Sequence, residues 1–350
     1  MAFDRAKEFC QERLEDIEDY LGGGVLPKII GALVALYLGA AILIGWYWSG
    51  EPELSTLNDV ISQHVSDDSK HKVVGVATTA TLIHLSETLL DKPGGYITND
   101  IFPPGLWLDN IKRWEFGVLV QVRDLARVMR QDMSRSQSQS IEDNDLKIAE
   151  PQFNFDNSSW AIPATESEYR RGIKALQSYT ARLTGAEQPK AQFYARADNL
   201  VNWLTNVETR LGSLSQRLSE SVGKRQLNTD LAGDPAAQES SHDQALQELK
   251  TPWLKVDDVF YEARGTAWSL IHVLKAIEVD FKPVLEDKNA LVSLQQIIIE
   301  LESTQESVWS PMVLNGSGFG LFANHSITMA SYISRASAAI GDLRSLLQRG

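Results

Sequence analysis

The stretch TPWLKVDDVFYEARGTAWSLIHVLKAIEVDFKP, residues 251–283, decides the fold class of this chain. Its apolar side chains recur at alternating spacings of three and four residues, which is the period of one face of an α-helix. They are Trp253, Val256, Phe260, Ala263, Ala267, Leu270, Leu274, Ile277 and Phe281. Thr251 and Pro252 suit a helix start, and Pro283 suits its end. The pattern therefore predicts a long helix whose apolar stripe packs against other helices.

The same period extends outward from this stretch in both directions. It is present in residues 73–90, 108–129, 169–183, 197–218, 291–301 and 329–347. No strand-like alternation of comparable length interrupts these segments. We therefore predict an all-α fold, a large antiparallel multi-helix bundle with coiled-coil-like packing over residues 49–350. Residues 228–242 have the composition of an internal linker.

A second kind of helix precedes the bundle. Residues 29–48, IIGALVALYLGAAILIGWYW, include no charged side chain. At about 1.5 Å per residue a run of this length spans the hydrocarbon layer of a membrane. The run is longer than the apolar part of a signal peptide, and the bulky Trp46, Tyr47 and Trp48 follow it in place of a small-residue cleavage motif. These features predict an uncleaved transmembrane signal anchor.

The distribution of basic residues predicts the orientation of this anchor. The preceding segment has four basic residues, and the segment after the anchor has none before Lys70. The four are Arg5, Lys7, Arg13 and Lys28. Because basic flanks stay on the cytoplasmic side, residues 1–28 are predicted to be a cytoplasmic tail with a short amphipathic helix at 4–21. Residues 49–350 are then exported.

Small residues form a ladder along one face of the anchor. Gly31, Ala35 and Gly39 are spaced at four residues, which permits two membrane helices to approach closely. The pattern has two interpretations. It either supports a homo-oligomer or reflects the frequency of Gly and Ala in membrane helices.

Composition excludes several classes of function. The 350-residue chain has a formal net charge of −13, so a nucleic-acid partner is not expected. The only cysteine, Cys10, precedes the anchor. A disulfide framework and a cysteine-based zinc site are therefore excluded for the exported domain.

The histidines suggest a metal site only weakly. His84 and Glu87 are one helical turn apart, and His64 and His71 lie in a polar segment near the anchor. Helical metal sites need matching ligands from a second helix, and the sequence does not supply that second copy. We predict no metal and no cofactor. No nucleophile-elbow or zinc-protease motif occurs, so the sequence assigns no catalytic residue and favours a protein that is not an enzyme.

The most suggestive exported feature is a loop rich in aromatic residues, proline and glycine at residues 91–114. Binding residues concentrate on loops that a rigid scaffold positions. The candidate binding residues are Tyr96, Asp100, Phe102, Trp107, Asp109, Asn110, Arg113 and Trp114. The alternative is that these aromatic side chains fasten the loop to the core of the bundle.

The run KPGGYITNDIFPPGLWLDNIKRWEFGVLVQVRDLARVMR at residues 92–130, with SRSQSQS and NSSWAIPATESEYRRG after it, resembles an uncharacterised proteobacterial family catalogued as a domain of unknown function. The resemblance extends over most of the chain. It implies a Gram-negative inner-membrane protein with one N-terminal anchor and a periplasmic domain. It implies no catalytic residue.

Two functions remain open at this point. The first is a membrane-anchored binding or scaffold component of the cell envelope, whose partners are the lipid bilayer through residues 29–48 and an envelope protein or the cell wall. The second is an enzyme that acts on cell-wall or lipid substrates, with a site formed by loops 91–114 and 311–325. The second requires the two loops to meet over a cleft.

Overall fold

The computed structural model describes residues 25–136, 141–227, 246–310, 312–316 and 321–349. The predicted helix at 4–21 and the predicted linker at 228–242 lie outside these residues. The helices are α1 (Val25–Trp48), α2 (Leu57–His64), α3 (Val76–Asp91), α4 (Asp109–Val128), α5 (Leu146–Phe153), α6 (Thr165–Leu183), α7 (Ala197–Ser219), α8 (Val256–Asp280), α9 (Lys282–Asp287), α10 (Leu291–Glu302) and α11 (His325–Gln348). The predicted all-α class is confirmed.

Helix α8 is the centre of the bundle. Every residue of its predicted apolar stripe from Val256 to Phe281 is buried, whereas Trp253 is exposed just before the helix. Polar residues on its other faces, including Arg264 and His272, are buried as well. Residues 262–274 of the helix are therefore enclosed on all sides, because α3, α4, α7, α10 and α11 pack around α8.

Two glycines set the contact between α4 and α8. A Cβ atom at Gly265 would lie within 3.0 Å of three backbone atoms of Trp114. A Cβ atom at Gly117 would lie 2.8 Å from the backbone nitrogen of Thr266 and closer still to the carbonyl oxygen of Glu262. The two backbones therefore touch at this crossing, and only glycine leaves the space for it.

Helices α4 and α8 run parallel to each other, while α3 and α7 run antiparallel to both. Asp280 at the end of α8 accepts hydrogen bonds from the backbone nitrogens of Gly75 (2.8 Å) and Thr78 (2.7 Å) at the start of α3. Arg210 of α7 pairs with Asp124 near the end of α4 at 2.9 Å. The long connection from Met129 to the start of α8 is what permits a parallel pair in the centre of this bundle.

One end of the bundle, called the base below, is where α1 joins it. Gly94, just after α3, packs against the ring of Trp48. The N-terminal ends of α4, α6, α8 and α11 lie at the base, and so do the C-terminal ends of α3, α7 and α10. Arg217 near the end of α7 bonds Glu262 (2.7 Å), and the hydroxyl of Ser215 lies 3.4 Å from the carbonyl oxygen of Ala330 near the start of α11.

Helix α1 contacts the bundle along one face. The hydroxyl of Tyr37 donates to the carbonyl oxygen of Pro103 at 3.0 Å, and a Cβ atom at Gly45 would lie 3.2 Å from the Cβ of Pro104. Ala41, between them on the same face, is buried. A Cβ atom placed at Gly31 or at Gly39 of the predicted ladder would have no atom within 4 Å. The ladder is thus exposed, and homo-oligomerisation through it stays a prediction.

The segment after α1 is tied to α8. Residues 49–55, called the strap below, run along α8 from Arg264 to His272. Trp268 donates its indole N–H to the carbonyl oxygen of Glu53 (3.3 Å), and the backbone N–H of Ser55 donates to the imidazole Nε2 of His272 (3.1 Å). Helix α1 and the bundle are consequently joined by a bonded segment and not by a free linker.

A small two-stranded ladder flanks the predicted linker. Strands β1 (Lys224–Leu227) and β2 (Leu246–Leu249) pair antiparallel, with Lys224 opposite Leu249. Helices before and after the linker, α7 and α8, share one hydrophobic core. The described residues on the two sides of 228–242 therefore belong to one packed unit.

Candidate functional site

Two cavities lie at the base, on opposite sides of the segment 303–308. The first has a volume of about 500 Å³ and is lined by the strap, Tyr261, Arg264, Trp268 and Val308. The second has a volume of about 310 Å³ and is lined by aromatic side chains, including Phe260, Trp309 and Tyr332, and by polar ones such as Arg264 and Ser303. Both volumes lie at or near the range of small-ligand sites. We call the two cavities together the base cleft.

Arg264 is the charged group between the two cavities. Its guanidinium is buried and forms an ion pair with Glu51 of the strap at 2.6 Å. It also donates to the carbonyl oxygens of Thr304 (3.0 Å) and Glu306 (2.8 Å). Arg264, which belongs to α8, thus bonds both the strap and segment 303–308. These charge-assisted hydrogen bonds hold the three segments together and fix the shape of the base cleft.

A cluster of histidine and tryptophan rings lies beside the strap. His84 of α3 is 5.6 Å from His272 of α8, ring centre to ring centre, and Trp268 is 4.4 Å from His272. His272 Nδ1 lies 2.8 Å from the carbonyl oxygen of Trp268, so this nitrogen holds the proton and Nε2 is the acceptor for Ser55. The buried His272 and the partly buried His84 therefore pack side by side between α8 and α3.

Burial lowers the pKa of both rings. Desolvation, with repulsion from His64, lowers the pKa of His84 to about 4. Desolvation lowers the pKa of His272 to about 4, although its bond to the Trp268 carbonyl acts in the opposite direction. A protonated imidazole is disfavoured here because a charge loses its hydration.

We expect the stability of the domain to fall as the pH decreases from about 6.5 to about 4. An unfolded histidine binds a proton near pH 6.5, whereas the two buried rings stay neutral down to about pH 4, so the unfolded state gains protons first. Each ring is expected to lower the free energy of unfolding by about 1–2 kcal/mol when the pH decreases from 7.5 to 5. Urea unfolding of the full chain at these two pH values measures the loss.

Substitution of His84 by Leu isolates its part of this pH dependence. Asp280 acts in the opposite direction, because burial raises the pKa of its carboxyl to about 6 and the folded state then binds the additional proton. A His84→Leu variant retains Asp280, so its stability should depend less on pH than that of the natural chain. Equal pH dependence of the two proteins would contradict the assignment.

In the sequence, His84 and Glu87 are spaced like the ligands of a helical metal site. In the structure, each of the two side chains faces a different neighbour. Glu87 lies 3.7 Å from His64 of α2, and His84 faces His272. The described residues include no group of three or more His, Cys, Asp and Glu side chains that could hold a metal ion.

The predicted binding loop divides into buried and exposed parts. Tyr96 and Trp114 are buried, and the Tyr96 hydroxyl donates to the carbonyl oxygen of Asn157 at 3.0 Å. These two rings fasten the loop to the core, as the alternative interpretation states. Phe102 and Trp107 are exposed beside α1.

The polar members of the loop also have different surroundings. Asp100 is half-buried, and burial raises the pKa of its carboxyl. Arg113 forms an ion pair with Asp258 of α8 at 3.0 Å. Asp109 is exposed, and its carboxylate accepts a hydrogen bond from the backbone nitrogen of Asn110 at 3.0 Å. The structure does not bring these eight residues together around one cavity.

A buried ion pair holds the loop in place. Lys92 and Glu115 are both buried and bond to each other, and Lys92 also donates to the carbonyl oxygen of Gly95. Glu115 accepts the backbone N–H groups of Ile97 (2.8 Å) and Thr98 (2.8 Å). This pair has no signal in the sequence, because residues 92 and 115 are far apart in the chain and neither is part of a motif.

The two loops of the alternative enzyme site lie at the same end of the bundle. Loop 91–114 contacts α1, and the described part of loop 311–325 precedes α11 at the base. Neither cavity of the base cleft is lined by loop 91–114. The geometry thus favours the strap and segment 303–309 as the walls of a binding site.

A family model described as "Uncharacterized protein conserved in bacteria (DUF2333)" matches residues 23–350. The chain belongs to this family. The match begins just before α1 and includes the whole bundle, so the apolar helix α1 is part of the matched region. Searches of the curated proteins and of the solved structures found no match.

Proposed function

We propose that this protein is a single-pass inner-membrane component of the bacterial cell envelope that binds a partner at the periplasmic membrane surface. Residues 1–28 are the cytoplasmic tail, 29–48 the anchor and 49–350 the periplasmic domain. The partner is another envelope protein or the cell wall. The observation that carries the proposal is the bonded strap, which holds the base cleft next to the end of α1.

The contacts of α1 support a retained anchor over a cleaved signal sequence. One helix of the described residues, Pro27–Trp48, is long and apolar enough to span a membrane. A signal sequence has no structural role in the mature protein, whereas α1 packs on Pro103 and Pro104 and the strap follows it directly. The basic residues before the span favour a cytoplasmic N-terminus.

The chemistry of the base cleft supports binding over catalysis. Arg264 and Glu51, its most buried charged groups, bond to each other, and Arg264 also donates to backbone carbonyl oxygens. Aromatic rings such as Tyr261 and Trp309 line part of the remaining surface, which suits apolar contacts with a partner segment.

Site-specific photo-crosslinking in intact cells tests this proposal. Val308 lines both cavities and is only partly buried, so a photoreactive phenylalanine analogue at this position reaches into the base cleft. The same analogue at Val292, an exposed residue at the opposite end of the bundle, is the control. We expect a discrete crosslinked product from position 308 that the control does not give. Identical patterns from the two positions, or no product from position 308, would argue against a binding role of the cleft.

A further inference from the structure

The exposed tryptophans of this protein share one location. All nine tryptophans lie in the described part of the chain, and five of them are between 49% and 98% exposed. These five are Trp46, Trp107, Trp160, Trp253 and Trp309. Each lies at the base, although they come from five separate segments of the chain. Exposed aliphatic residues such as Val292 occur elsewhere, but exposed tryptophan does not.

Contacts of the neighbouring residues locate these side chains. Trp46 is in the last turn of α1, and Trp107 is in the loop that packs on α1. Trp160 follows Ser159, whose carbonyl oxygen accepts a hydrogen bond from Asn99 at 2.9 Å. Trp253 and Trp309 adjoin the start of α8 and segment 303–308, respectively.

The loop that contains Trp107 extends along α1. The Tyr37 hydroxyl that bonds Pro103 is eleven residues before Trp48, which corresponds to about 16 Å along a helix. Residues 101–108, IFPPGLWL, have no charged side chain, and Ile101, Phe102 and Leu106 are exposed. A loop at this position along α1 lies within the thickness of the membrane that α1 spans.

Five of the eight residues of this loop either lack an N–H group or donate it to a carbonyl oxygen of the loop. Pro103 and Pro104 have no N–H group. The N–H groups of Leu106, Trp107 and Leu108 donate to carbonyl oxygens within the loop. Tyr37 donates to the carbonyl oxygen of Pro103. Because unpaired backbone groups are costly in lipid, non-helical segments enter a membrane only when partners of this kind are supplied.

From these observations we propose that the base of the domain is embedded in the outer leaflet of the same membrane that α1 spans. The loop 101–108 enters the hydrocarbon layer beside α1, and Trp160, Trp253 and Trp309 lie in the headgroup region around it. Tryptophan favours this region because its ring is apolar and its indole N–H requires a polar neighbour. The occupant of this surface is bulk lipid, since α1 passes through the same face. The proposal rests on the proposed function, which makes α1 a membrane span.

Spin labels on the full chain in phosphatidylcholine vesicles test the proposal. Cys10 is replaced by Ser, and single cysteines are introduced as Ile42→Cys in α1, Phe102→Cys in the loop, Trp309→Cys at the cleft and Val292→Cys at the opposite end. Phe102 (73% exposed) and Val292 (76% exposed) are a matched pair of apolar surface residues. Frequent collisions of a spin label with dissolved oxygen indicate that the label lies in lipid. Frequent collisions with a water-soluble nickel chelate indicate that it lies in solvent.

We expect the labels at 42, 102 and 309 to be several-fold less accessible to the nickel chelate than the label at 292. A label at 42 in lipid with labels at 102 and 309 in water would overturn the embedded base and leave the anchor intact. That outcome would mean that the base faces solvent above the membrane. A label at 42 in water would overturn the membrane anchor, and the proposed function with it.

Discussion

Replacement of Gly265 by alanine is expected to destabilise the domain by about 3 kcal/mol. The added methyl group would lie within 3.0 Å of three backbone atoms of Trp114, and a helix backbone cannot move aside as a flexible side chain does. The α4 and α8 axes would have to separate at the centre of the core, which would also loosen the contact between Trp114 and Trp268. Urea unfolding of the full chain in detergent micelles measures the loss.

Gly212→Ala is the matched control for this prediction. Gly212 is also inside a helix. A Cβ atom placed there would have one neighbour outside its own helix, the hydroxyl oxygen of Ser337 at 4.0 Å. Alanine there removes backbone freedom from the unfolded chain, and the variant should be more stable than the natural chain by about 0.5–1 kcal/mol. If both variants lost similar stability, the close contact of α4 and α8 would be refuted.

Replacement of Glu115 by alanine is expected to lower the free energy of unfolding by about 4 kcal/mol, because it leaves the buried ammonium of Lys92 without its carboxylate partner. The backbone N–H groups of Ile97 and Thr98 lose their acceptor at the same time. The loss is concentrated in loop 92–108. We therefore expect faster hydrogen exchange there than in α8, besides the lower unfolding free energy.

An exposed ion pair on the same loop provides the control. Asp91 bonds Arg170 at 2.6 Å, and the two side chains are about half exposed. Solvent-exposed pairs contribute roughly 0–1 kcal/mol, so Asp91→Ala should change stability little. A second variant, Glu115→Leu combined with Lys92→Met, removes both charges and should recover part of the stability. A double variant as unstable as Glu115→Ala would mean that the lost backbone contacts, and not the unpaired lysine, cause the effect.

These two sites connect stability to the proposed function. The Gly117 and Gly265 crossing sets the position of α4, and Glu115 of α4 holds the loop that packs on α1. A change in either place would shift the base relative to α1. Binding at the base cleft is therefore expected to weaken in Glu115→Ala even when most of the bundle remains folded.

The sequence predicted individual elements well and their partners poorly. The stripe from Val256 to Phe281 predicted α8, because a helix that buries an apolar face must repeat at its own period. The same stripe did not reveal that Arg264 and His272 are also enclosed. Their burial depends on neighbours from distant parts of the chain, namely the strap and α3.

For the candidate site, too, the sequence marked a segment but not the neighbours of its side chains. The aromatic composition of loop 91–114 marked it as unusual, but only the contacts distinguish Tyr96 and Trp114, which pack in the core, from Phe102 and Trp107, which are exposed next to α1. The base cleft had no signal in the sequence. Its walls come from residues 49–55, α8 and residues 303–309, and no local pattern relates these three segments.

The sequence alone determined the apolar span at 29–48, the helical class and the positions of the long helices, to within about four residues at their ends. Each of these follows from short-range periodicity, length and charge, which are read within one segment. Tertiary structure alone decided that α4 and α8 run parallel in contact, that Lys92 and Glu115 meet in the core, and that five exposed tryptophans share the base. Such features depend on which segments become neighbours, and packing of the whole chain sets that arrangement.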